Sequence, residues 1–475
     1  MIPSAALNEL EVRALEVATG GGGLPSRIQA FDLNLAEAEL LLNLGLSPDD
    51  VAQVRSMRPF YQVDDIGVIA RVGVDTDVTL RRFFTVSQLC YLDPTTQQWN
   101  ELRADTAEWI VPEPAAVAND AEAAGSEFDG WRRVRFVRRV GRPEWTDVES
   151  AGGRPFPSFV DGQGQRRHLH PEFVQVQARC KVDDEALRDL LQTLGLRVHQ
   201  TFPLDGLFTA RVGDGPHGLA ALSGALLALN AAPCIEIAEP AWLGFDDVDP
   251  DPARETVISK SRPTDAETDA SVPWNLDLLR VPSFWSVSRG SPAVTLVCID
   301  SGASLDHPSL ATDDPAACQT LQSYAGEDPV DRLGHGTHVA TMLVGNGYRG
   351  VWGVAPGCSL KVLKVSLEVS TASYPSRRAA LMSLVPLAKA GHRLVMNLSW
   401  RTTGDVALIR AAIGELAAAG ALIVCSSGNE SLDGDFPHFP SDYSETLSVG
   451  ALGPDGRRAL KQRLAEGGLN GSRGH

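Results

Sequence analysis

The sequence lacks segments that would direct a chain into or across a membrane. The first ten residues contain no basic stretch followed by an apolar run, so they do not have the form of a secretory signal. The longest uncharged candidate for a membrane span, residues 219–235, is interrupted by Asn230 and Pro233 and is better divided into a helix and a strand. We therefore expect a cytoplasmic protein without a membrane partner.

Positive charge and cysteine are also scarce. The chain carries 42 lysine and arginine residues against 60 aspartate and glutamate residues, which gives a formal net charge of −18 at pH 7. This balance disfavours binding to nucleic acid or to anionic lipid. The seven cysteines are odd in number and lack the spacing of a disulfide framework, so we expect reduced thiols. Cys298 and Cys425 lie in apolar stretches typical of buried strands, which disfavours cysteine-based catalysis.

A length of 475 residues favours two or three domains. Residues 31–80 contain short apolar stretches joined by glycine turns, in an order that resembles the helix-hairpin-helix repeat. Where that repeat grips DNA it needs cations for the phosphates, yet this segment has nine acidic residues and only three arginines. We interpret it as a small helical module for protein docking or for structure alone. Residues 83–150 contain strand-like stretches but remain unassigned.

A basic stretch and a glycine-rich stretch follow in the sequence. Residues 131–142 contain six arginines and no acid, interspersed with apolar side chains. Two interpretations stay open: a basic patch for an acidic partner, or an amphipathic strand whose arginines face water, which we favour. Residues 151–167 are rich in glycine and proline and are typical of a linker.

Residues 170–245 show the periodicities of a ferredoxin-like βαββαβ unit. Alternating side chains in residues 173–178 predict a strand, and the leucines after Asp184 recur at the spacing of a helix. Two further strands, a second helix and a last strand complete the pattern. Residues 246–272 then contain eight acids against three bases, which predicts an acidic linker.

From Trp274 onward, apolar strand-like runs alternate with helical stretches. Continuous apolar strands alternating with helices predict an α/β fold with a parallel sheet covered on both faces. The predicted strands are residues 294–299, 360–365, 394–398, 421–425 and 446–451, and the predicted helices are residues 335–343, 376–390 and 405–419. Sites in such sheets lie at the carboxyl ends of the strands. Asp300 and Asn429 both follow such ends.

Four short motifs in this region share one family pattern. They are Val-Cys-Ile-Asp-Ser-Gly at 297–302, Gly-His-Gly-Thr-His-Val-Ala at 334–340, Asn-Leu-Ser at 397–399 and Ser-Gly-Asn at 427–429. They resemble, in this order, the aspartate motif, the histidine motif, the substrate-pairing strand and the oxyanion-hole motif of the subtilisin-like serine peptidases (subtilases, peptidase S8 family). The βαββαβ unit upstream resembles the inhibitor-type propeptide domain of the same family, which assists folding and lays its tail in the substrate cleft.

The resemblance implies a subtilisin-like α/β fold for residues 273–475 and a propeptide role for residues 170–245. It also implies a serine endopeptidase that hydrolyses peptide bonds, with protein or peptide substrates. No cofactor is expected. No metal is expected either, because the loop 345–350 has no carboxylate cluster for calcium.

The resemblance further assigns roles to single residues. Asp300 would orient His335, the general base, and Asn429 would donate to the developing oxyanion, so that these three are the catalytic residues. Ser399 and Gly428 would bind the substrate backbone. Trp400 and Arg401 stand after Ser399 where the family often has small glycines, which predicts an obstructed or selective substrate strand.

The nucleophile of the family is missing from its usual context. Subtilases carry it in a Gly-Thr-Ser-x-Ala turn that opens a buried helix, and the 475 residues contain no such turn. The serines that follow Asn429 all lie in other contexts: Ser431, Ser441, Ser444, Ser448 and Ser472. We expect a chain truncated before the serine and therefore inactive or nearly so. The alternative is a pseudoprotease that acts as a protein-binding or regulatory module, so whether this chain is an enzyme stays open.

Overall fold

The structure is a computed structural model of the chain. It describes residues 31–34, 36–43, 46–58, 60–61, 84–86, 88–114, 131–138, 156–212, 218–244, 272–312, 314–366, 371–402, 404–428, 437–453, 456–457, 460–462 and 469–471. Almost all of the predicted acidic linker, much of the second half of the 31–80 module, Asn429, Ser431 and Ser472 lie outside these residues. The chain divides into two compact units, Met1–Thr201 with Phe208–Ala241 and Phe202–Leu207 with Trp242–His475, and each is described by itself.

The described elements are distributed over the two units. Those that begin in the first unit are the strands β1 (Phe31–Asp32), β2 (Phe84–Thr85), β3 (Leu89–Leu92), β4 (Trp99–Pro114), β5 (Trp131–Arg138), β6 (Phe156–Val160), β7 (Arg166–Arg167), β8 (Leu169–Ala178), β9 (Leu196–Thr201), β10 (Leu207–Val212) and β11 (Ile235–Trp242), and the helices α1 (Ala38–Asn43), α2 (Pro48–Ser56), α3 (Glu185–Thr193) and α4 (Gly218–Ala231). Those of the second unit are the helices α5 (Trp274–Leu278), α6 (Val281–Trp285), α7 (His335–Val344), α8 (Ser373–Lys389) and α9 (Ala407–Ala418), and the strands β12 (Val294–Asp300), β13 (Gln319–Ser323), β14 (Ser359–Lys364), β15 (Arg393–Leu398), β16 (Leu422–Ser426), β17 (Leu447–Val449), β18 (Leu460–Gln462) and β19 (Leu469–Gly471).

The N-terminal helices α1 and α2 share a small apolar core. Leu41 and Val54 are fully buried in it. Helix α2 begins where the Ser47 hydroxyl accepts a hydrogen bond from the Asp50 N–H at 3.1 Å, the usual capping arrangement. Arg58 is buried rather than presented to solvent, and its Nη2 donates to the Ala36 carbonyl at 2.5 Å.

The stretch interpreted as a glycine- and proline-rich linker is structured in residues 156–167, so that interpretation is wrong there. Strands β6 and β7 form an antiparallel hairpin that continues the sheet ordered β3-β4-β6-β7. Phe156 and Phe159 are buried, and the Asp161 carboxylate accepts hydrogen bonds from turn N–H groups at 3.0 and 2.9 Å. The glycines therefore serve a tight turn between two strands. Within the basic stretch, the backbone of Trp131–Arg138 forms β5, antiparallel to β4.

Helices and strands from β8 to β11 follow the βαββαβ pattern in chain order. The four strands lie in the spatial order β11-β8-β10-β9, with the first and third strands in the middle. Helix α3 begins at Asp184, whose side chain accepts from the Ala186 N–H at 3.0 Å, and it buries Leu187 and Leu191.

The second unit is built on a six-stranded parallel sheet, which confirms the predicted α/β class. Its order is β13-β14-β12-β15-β16-β17, so β12 lies between two strands that come later in the chain. Every residue of Leu296–Asp300 is buried, which means that both faces of β12 are covered. Helix α7 packs on β12 and β14, and α8 packs on α9. In the described residues, no helix is both long and apolar enough to span a bilayer.

A buried carboxylate in the first unit links β4 to the β6–β7 hairpin and the start of β8. Glu108 accepts hydrogen bonds from Ser158 Oγ at 2.9 Å, His168 Nε2 at 3.3 Å and Arg166 Nη1 at 3.4 Å. The hydrogen bond from His168 is the main cause that lowers the pKa of Glu108 to about 2, and it outweighs the opposing effect of burial. At neutral pH, Glu108 is therefore ionised in the folded sheet.

We expect Glu108→Gln to lower the free energy of unfolding at neutral pH and to have little effect in strong acid. Because the folded pKa is depressed, the stabilisation is fully present above the ordinary value of 4.5 and is lost as pH falls towards about 2. It amounts to at most about 3 kcal/mol. Urea unfolding across this pH range measures it, with Glu101→Gln, an exposed carboxylate on the same strand, as the control. A loss that persists at about pH 2 contradicts the assignment.

Candidate active site

Three of the predicted site residues come to one edge of the parallel sheet. Asp300 is the last residue of β12, Ser399 directly follows β15, and Gly428 lies two residues beyond β16. Because neighbouring strands of this sheet are parallel, their carboxyl ends share an edge, where ligand sites of such folds lie. Asn429, the predicted oxyanion donor, lies outside the described residues.

His335 begins helix α7, directly after Gly334, whose φ of 83° is left-handed. The next residue, Gly336, has no room for a side chain. A Cβ there would lie 2.1 Å from the Gly302 carbonyl oxygen and 3.2 Å from Asp300 Cβ. The glycine therefore allows the first turn of the helix to approach the loop that follows β12, and this approach brings the imidazole to the aspartate.

Asp300 and His335 form a direct hydrogen bond. His335 Nδ1 lies 2.7 Å from Asp300 Oδ1. The Asp300 side chain is fully buried, whereas 27% of the His335 side chain is exposed. Because an ionised carboxylate can only accept, the proton of the neutral imidazole is on Nδ1 and Nε2 is the basic nitrogen. This is the tautomer that a general base supported by an aspartate requires.

The Asp300 carboxylate has unequal surroundings at its two oxygens. Oδ1 also accepts from the Ser301 N–H at 2.7 Å, while Oδ2 is buried and has no hydrogen-bond donor among the residues that the structure describes. A buried carboxylate with few donors is costly unless it faces a partner of opposite charge. The arrangement therefore favours positive charge on the imidazole of His335, which is what forms when a general base accepts a proton.

A second imidazole, His338, lies one turn further along α7. Partial burial lowers the pKa of His338, the neighbouring His335 lowers it further, and Asp300 opposes them. His338 is thus kept neutral beside its neighbour. It does not compete with His335 for the charge of Asp300.

Sequence reasoning missed Asp331, which lies four residues before His335. Its Oδ1 accepts from the N–H groups of Leu333 and Gly334 at 3.0 and 2.9 Å, and its Oδ2 accepts from the N–H and hydroxyl of Thr337, both at 2.7 Å. Burial raises the pKa of Asp331, but the hydrogen bonds from Thr337, Ser301 and Gly334 together outweigh it and leave the pKa below its usual value. An aspartate shortly before a helix is a signal that could have identified this cap.

Trp400 does not obstruct the substrate strand, contrary to the expectation from its position after Ser399. Its side chain is 1% exposed, and its Nε1 donates to the Ile299 carbonyl at 3.0 Å. The Arg377 guanidinium stacks on the indole with its carbon 4.6 Å from the ring centroid. The hydrogen bond to β12 draws this bulky residue beneath the sheet edge, where it supports the residue preceding Asp300.

Of the described serines beyond Gly428, two are hydrogen-bonded to other groups and one is buried in a strand. Ser441 Oγ lies 2.8 Å from His438 Nδ1 and 2.7 Å from the His438 carbonyl oxygen, and Ser444 donates to the Glu445 carboxylate at 3.0 Å. Ser448 lies within β17, where its hydroxyl is buried. None of the three begins a helix of the described chain. In those same parts of the chain, no group of three or more His, Cys, Asp or Glu side chains could hold a metal ion.

Comparisons with known proteins agree with this geometry. Residues 291–461 match the family model described as "Subtilase family". The chain is 28% identical over 193 residues to Subtilisin E of Bacillus subtilis (strain 168), an overlap of 40% of this chain and 49% of that protein. It is 27% identical over 189 residues to the Major intracellular serine protease of the same strain, an overlap of 38% of this chain and 58% of that protein.

Among solved structures, the chain is similar to fervidolysin from Fervidobacterium pennivorans, described as a keratinolytic enzyme related to subtilisin. That match has 18% identity and a TM-score of 0.42, and it covers 64% of this chain and 45% of the other. The chain spans about half the length of Subtilisin E. The matched residues 291–461 include both Asp300 and His335. In the structure these two side chains are hydrogen-bonded to each other. Through this segment, the chain is similar to the subtilase family of serine peptidases.

Proposed function

We propose that the second unit carries the acid–base pair of a subtilase-type peptidase that acts on protein or peptide substrates. Asp300 holds the imidazole in the Nδ1–H tautomer, and His335 takes a proton from a serine hydroxyl and then returns it to the leaving amine. The observation that carries this proposal is the 2.7 Å hydrogen bond between His335 Nδ1 and Asp300 Oδ1 at the carboxyl edge of the sheet. Asn429, directly after Gly428, is assigned to the oxyanion.

We also propose that the 475-residue polypeptide by itself does not form an acyl-enzyme. Acyl transfer needs a hydroxyl positioned at the base, and the sequence contains no Gly-Thr-Ser-x-Ala turn. The hydroxyls of Ser441 and Ser444 are held by other groups. The second candidate function is a module that binds peptides in the cleft without hydrolysing them. The observation in its favour is that the Asp300–His335 pair is intact while the Gly-Thr-Ser-x-Ala turn is missing from the sequence.

For residues 170–245 we propose the inhibitor-type propeptide role. The strand order β11-β8-β10-β9 supports it, because this is the order that a ferredoxin-like unit adopts. Within the second unit, the residues that end this segment also lie against the start of α8. Tyr374 Oη donates to the Leu243 carbonyl at 3.4 Å, and Trp242 and Leu243 are fully buried.

Replacement of Asp300 tests the acid–base pair directly. We expect Asp300→Asn to reduce the share of His335 that is protonated at Nδ1, because an amide can donate to that nitrogen where a carboxylate can only accept. ¹⁵N NMR of histidine-labelled full chain distinguishes the two nitrogens. Asp306→Asn, an exposed carboxylate on the loop after the same strand, is the control. An unchanged tautomer in Asp300→Asn refutes the orienting role.

Active-site labelling tests the proposed lack of acyl-enzyme chemistry. We expect no covalent labelling of the full chain by a fluorophosphonate probe, because the sequence contains no Gly-Thr-Ser-x-Ala turn to present a serine to His335. Intact mass spectrometry measures the labelling, with a commercial subtilisin as the positive control. Stoichiometric labelling of this chain that disappears in His335→Ala overturns the proposal of inactivity.

Peptide binding tests the cleft independently of hydrolysis. We expect Gly428→Val to weaken the binding of fluorescein-labelled unfolded casein by about tenfold or more, since a β-branched side chain narrows the cleft and strains a residue whose φ is 90°. Fluorescence anisotropy measures it. Gly420→Val is the matched control, because Gly420 has a φ of 92° but lies after α9, away from the carboxyl edge. Equal weakening by the two variants shows that backbone strain alone is responsible.

A further inference from the structure

Ser301 lies between two carboxylates beside His335. Ser301 Oγ lies 2.9 Å from Asp331 Oδ1 and 3.2 Å from Asp300 Oδ1. The same oxygen accepts a hydrogen bond from the Gly336 N–H at 2.9 Å. A serine hydroxyl has one proton, and the shorter distance places it towards Asp331. The Ser301 N–H donates to Asp300 Oδ1 at 2.7 Å. Ser301 therefore links the carboxylate that contacts the imidazole, through its N–H, to a second carboxylate, through its hydroxyl.

Asp331 and Ser301 together hold the backbone on both sides of His335. The Gly334 N–H donates to Asp331, the Gly336 N–H donates to Ser301, and the Thr337 N–H donates to Asp331. Each of these is an N–H at a helix start, where helical partners are lacking and negative charge is favourable. These hydrogen bonds hold the backbone of Gly334 before His335 and of Gly336 and Thr337 after it. They thereby fix the direction of the His335 Cα–Cβ bond.

The loop that carries Asp331 is in turn fastened to the sheet. Lys364, the last residue of β14, is the register partner of Asp300. Its ammonium group is almost fully buried, donates to the Val330 carbonyl at 2.8 Å and pairs with Glu327 at 3.0 Å. Thr337 Oγ1 also accepts from the Ser304 N–H at 3.1 Å, which ties the helix start to the loop after β12. The position of Asp331 relative to Asp300 is thus set by the sheet and not by the loop alone.

We propose that Asp331 is a positioning residue of the Asp300–His335 pair. It acts through Ser301 and through the first turn of α7 to hold His335 Nδ1 against Asp300, and it does not contact the imidazole in the described structure. This inference rests on the proposed role of His335 as general base. In this proposal, the role of His335 as general base depends on the charge of Asp331 and on the five hydrogen bonds that Asp331 accepts.

The state of the His335 imidazole in the full-length chain tests this inference. The chain has ten histidines, and His335→Gln assigns the signals of interest in ¹⁵N-histidine-labelled protein. We expect Asp331→Asn to abolish or strongly broaden the hydrogen-bonded Nδ1–H signal and to lower the midpoint of the His335 titration by about half a pH unit or more, because contact with Asp300 is loosened. The charged and titratable groups nearby are Asp300, Asp331 and His338.

Asp328→Asn is the matched control. It removes the same charge from the same loop, but Asp328 pairs with the exposed Arg332, accepts from the Val330 N–H at 3.0 Å and makes no hydrogen bond to the first turn of α7 in the described structure. We expect this variant to keep the wild-type signal and midpoint. Equal changes in the two variants mean that loop charge alone is responsible and overturn the inference. So does a folded Asp331→Asn protein with an unchanged imidazole.

Ser301→Ala decides the matter if Asp331→Asn does not fold. It removes only the hydroxyl link, so we expect a partial loss of the Nδ1–H signal with the fold retained; an unchanged signal overturns the inference. Where both variants fold, the double variant should be no worse than Asp331→Asn alone, since both act through one chain of bonds. These readouts need no hydrolysis, so stoichiometric labelling or absent casein binding would count against the proposed function without affecting them.

Discussion

The arrangement at the sheet edge of the second unit depends on one completely buried carboxylate, Asp300. Removing Asp300 from water costs several kcal/mol unless strong donors and positive charge compensate. The compensation comes from the Ser301 N–H and from His335 Nδ1, both 2.7 Å from the same oxygen. Because one donor belongs to the loop after β12 and the other to the first residue of α7, the helix has to start at the sheet edge. Residue 336 has to be a glycine because the helix start lies against the loop after β12, where a Cβ would collide with the Gly302 carbonyl oxygen. The helix itself does not require a glycine there.

Support for Asp300 also comes from beneath the sheet edge. Trp400 occupies the space under the end of β12 and donates to the carbonyl of Ile299, while Arg377 stacks on its other side. The neighbouring strands β14 and β15 place Lys364 and Ser399 at the same edge. The aspartate is therefore held by its own strand, by both adjacent strands and by the helix that it faces. We expect a change in any one of these supports to alter the hydrogen bond between Asp300 and the His335 imidazole.

Most of the parallel sheet could be predicted from sequence because its central strands are continuous apolar runs, of which β12 and β14 are buried on both faces. Continuous apolar runs located β12, β14, β15 and β16 to within a residue or two. Strand β13 was missed because it is an edge strand of mostly polar residues, Gln-Thr-Leu-Gln-Ser, without an apolar run. The β6–β7 hairpin was mistaken for a linker because its turn residues dominate a short segment. The inward orientation of Trp400 was not predictable, since its partner, the Ile299 carbonyl, lies 101 residues away.

In the candidate site, too, residues within short local motifs could be predicted, whereas contacts between residues distant in sequence could not. Motifs identified Asp300 and His335, because each sits in a short pattern that local backbone geometry requires. Asp331 could have been recognised as a helix cap, but its link to Asp300 passes through Ser301, 30 residues earlier in the chain. The groups that orient the imidazole in the described structure therefore lie between Asp300 and Thr337, with Lys364 behind the loop. Because all of these groups lie within residues 300–364, the orientation of His335 in the described structure does not depend on the residues beyond Gly428.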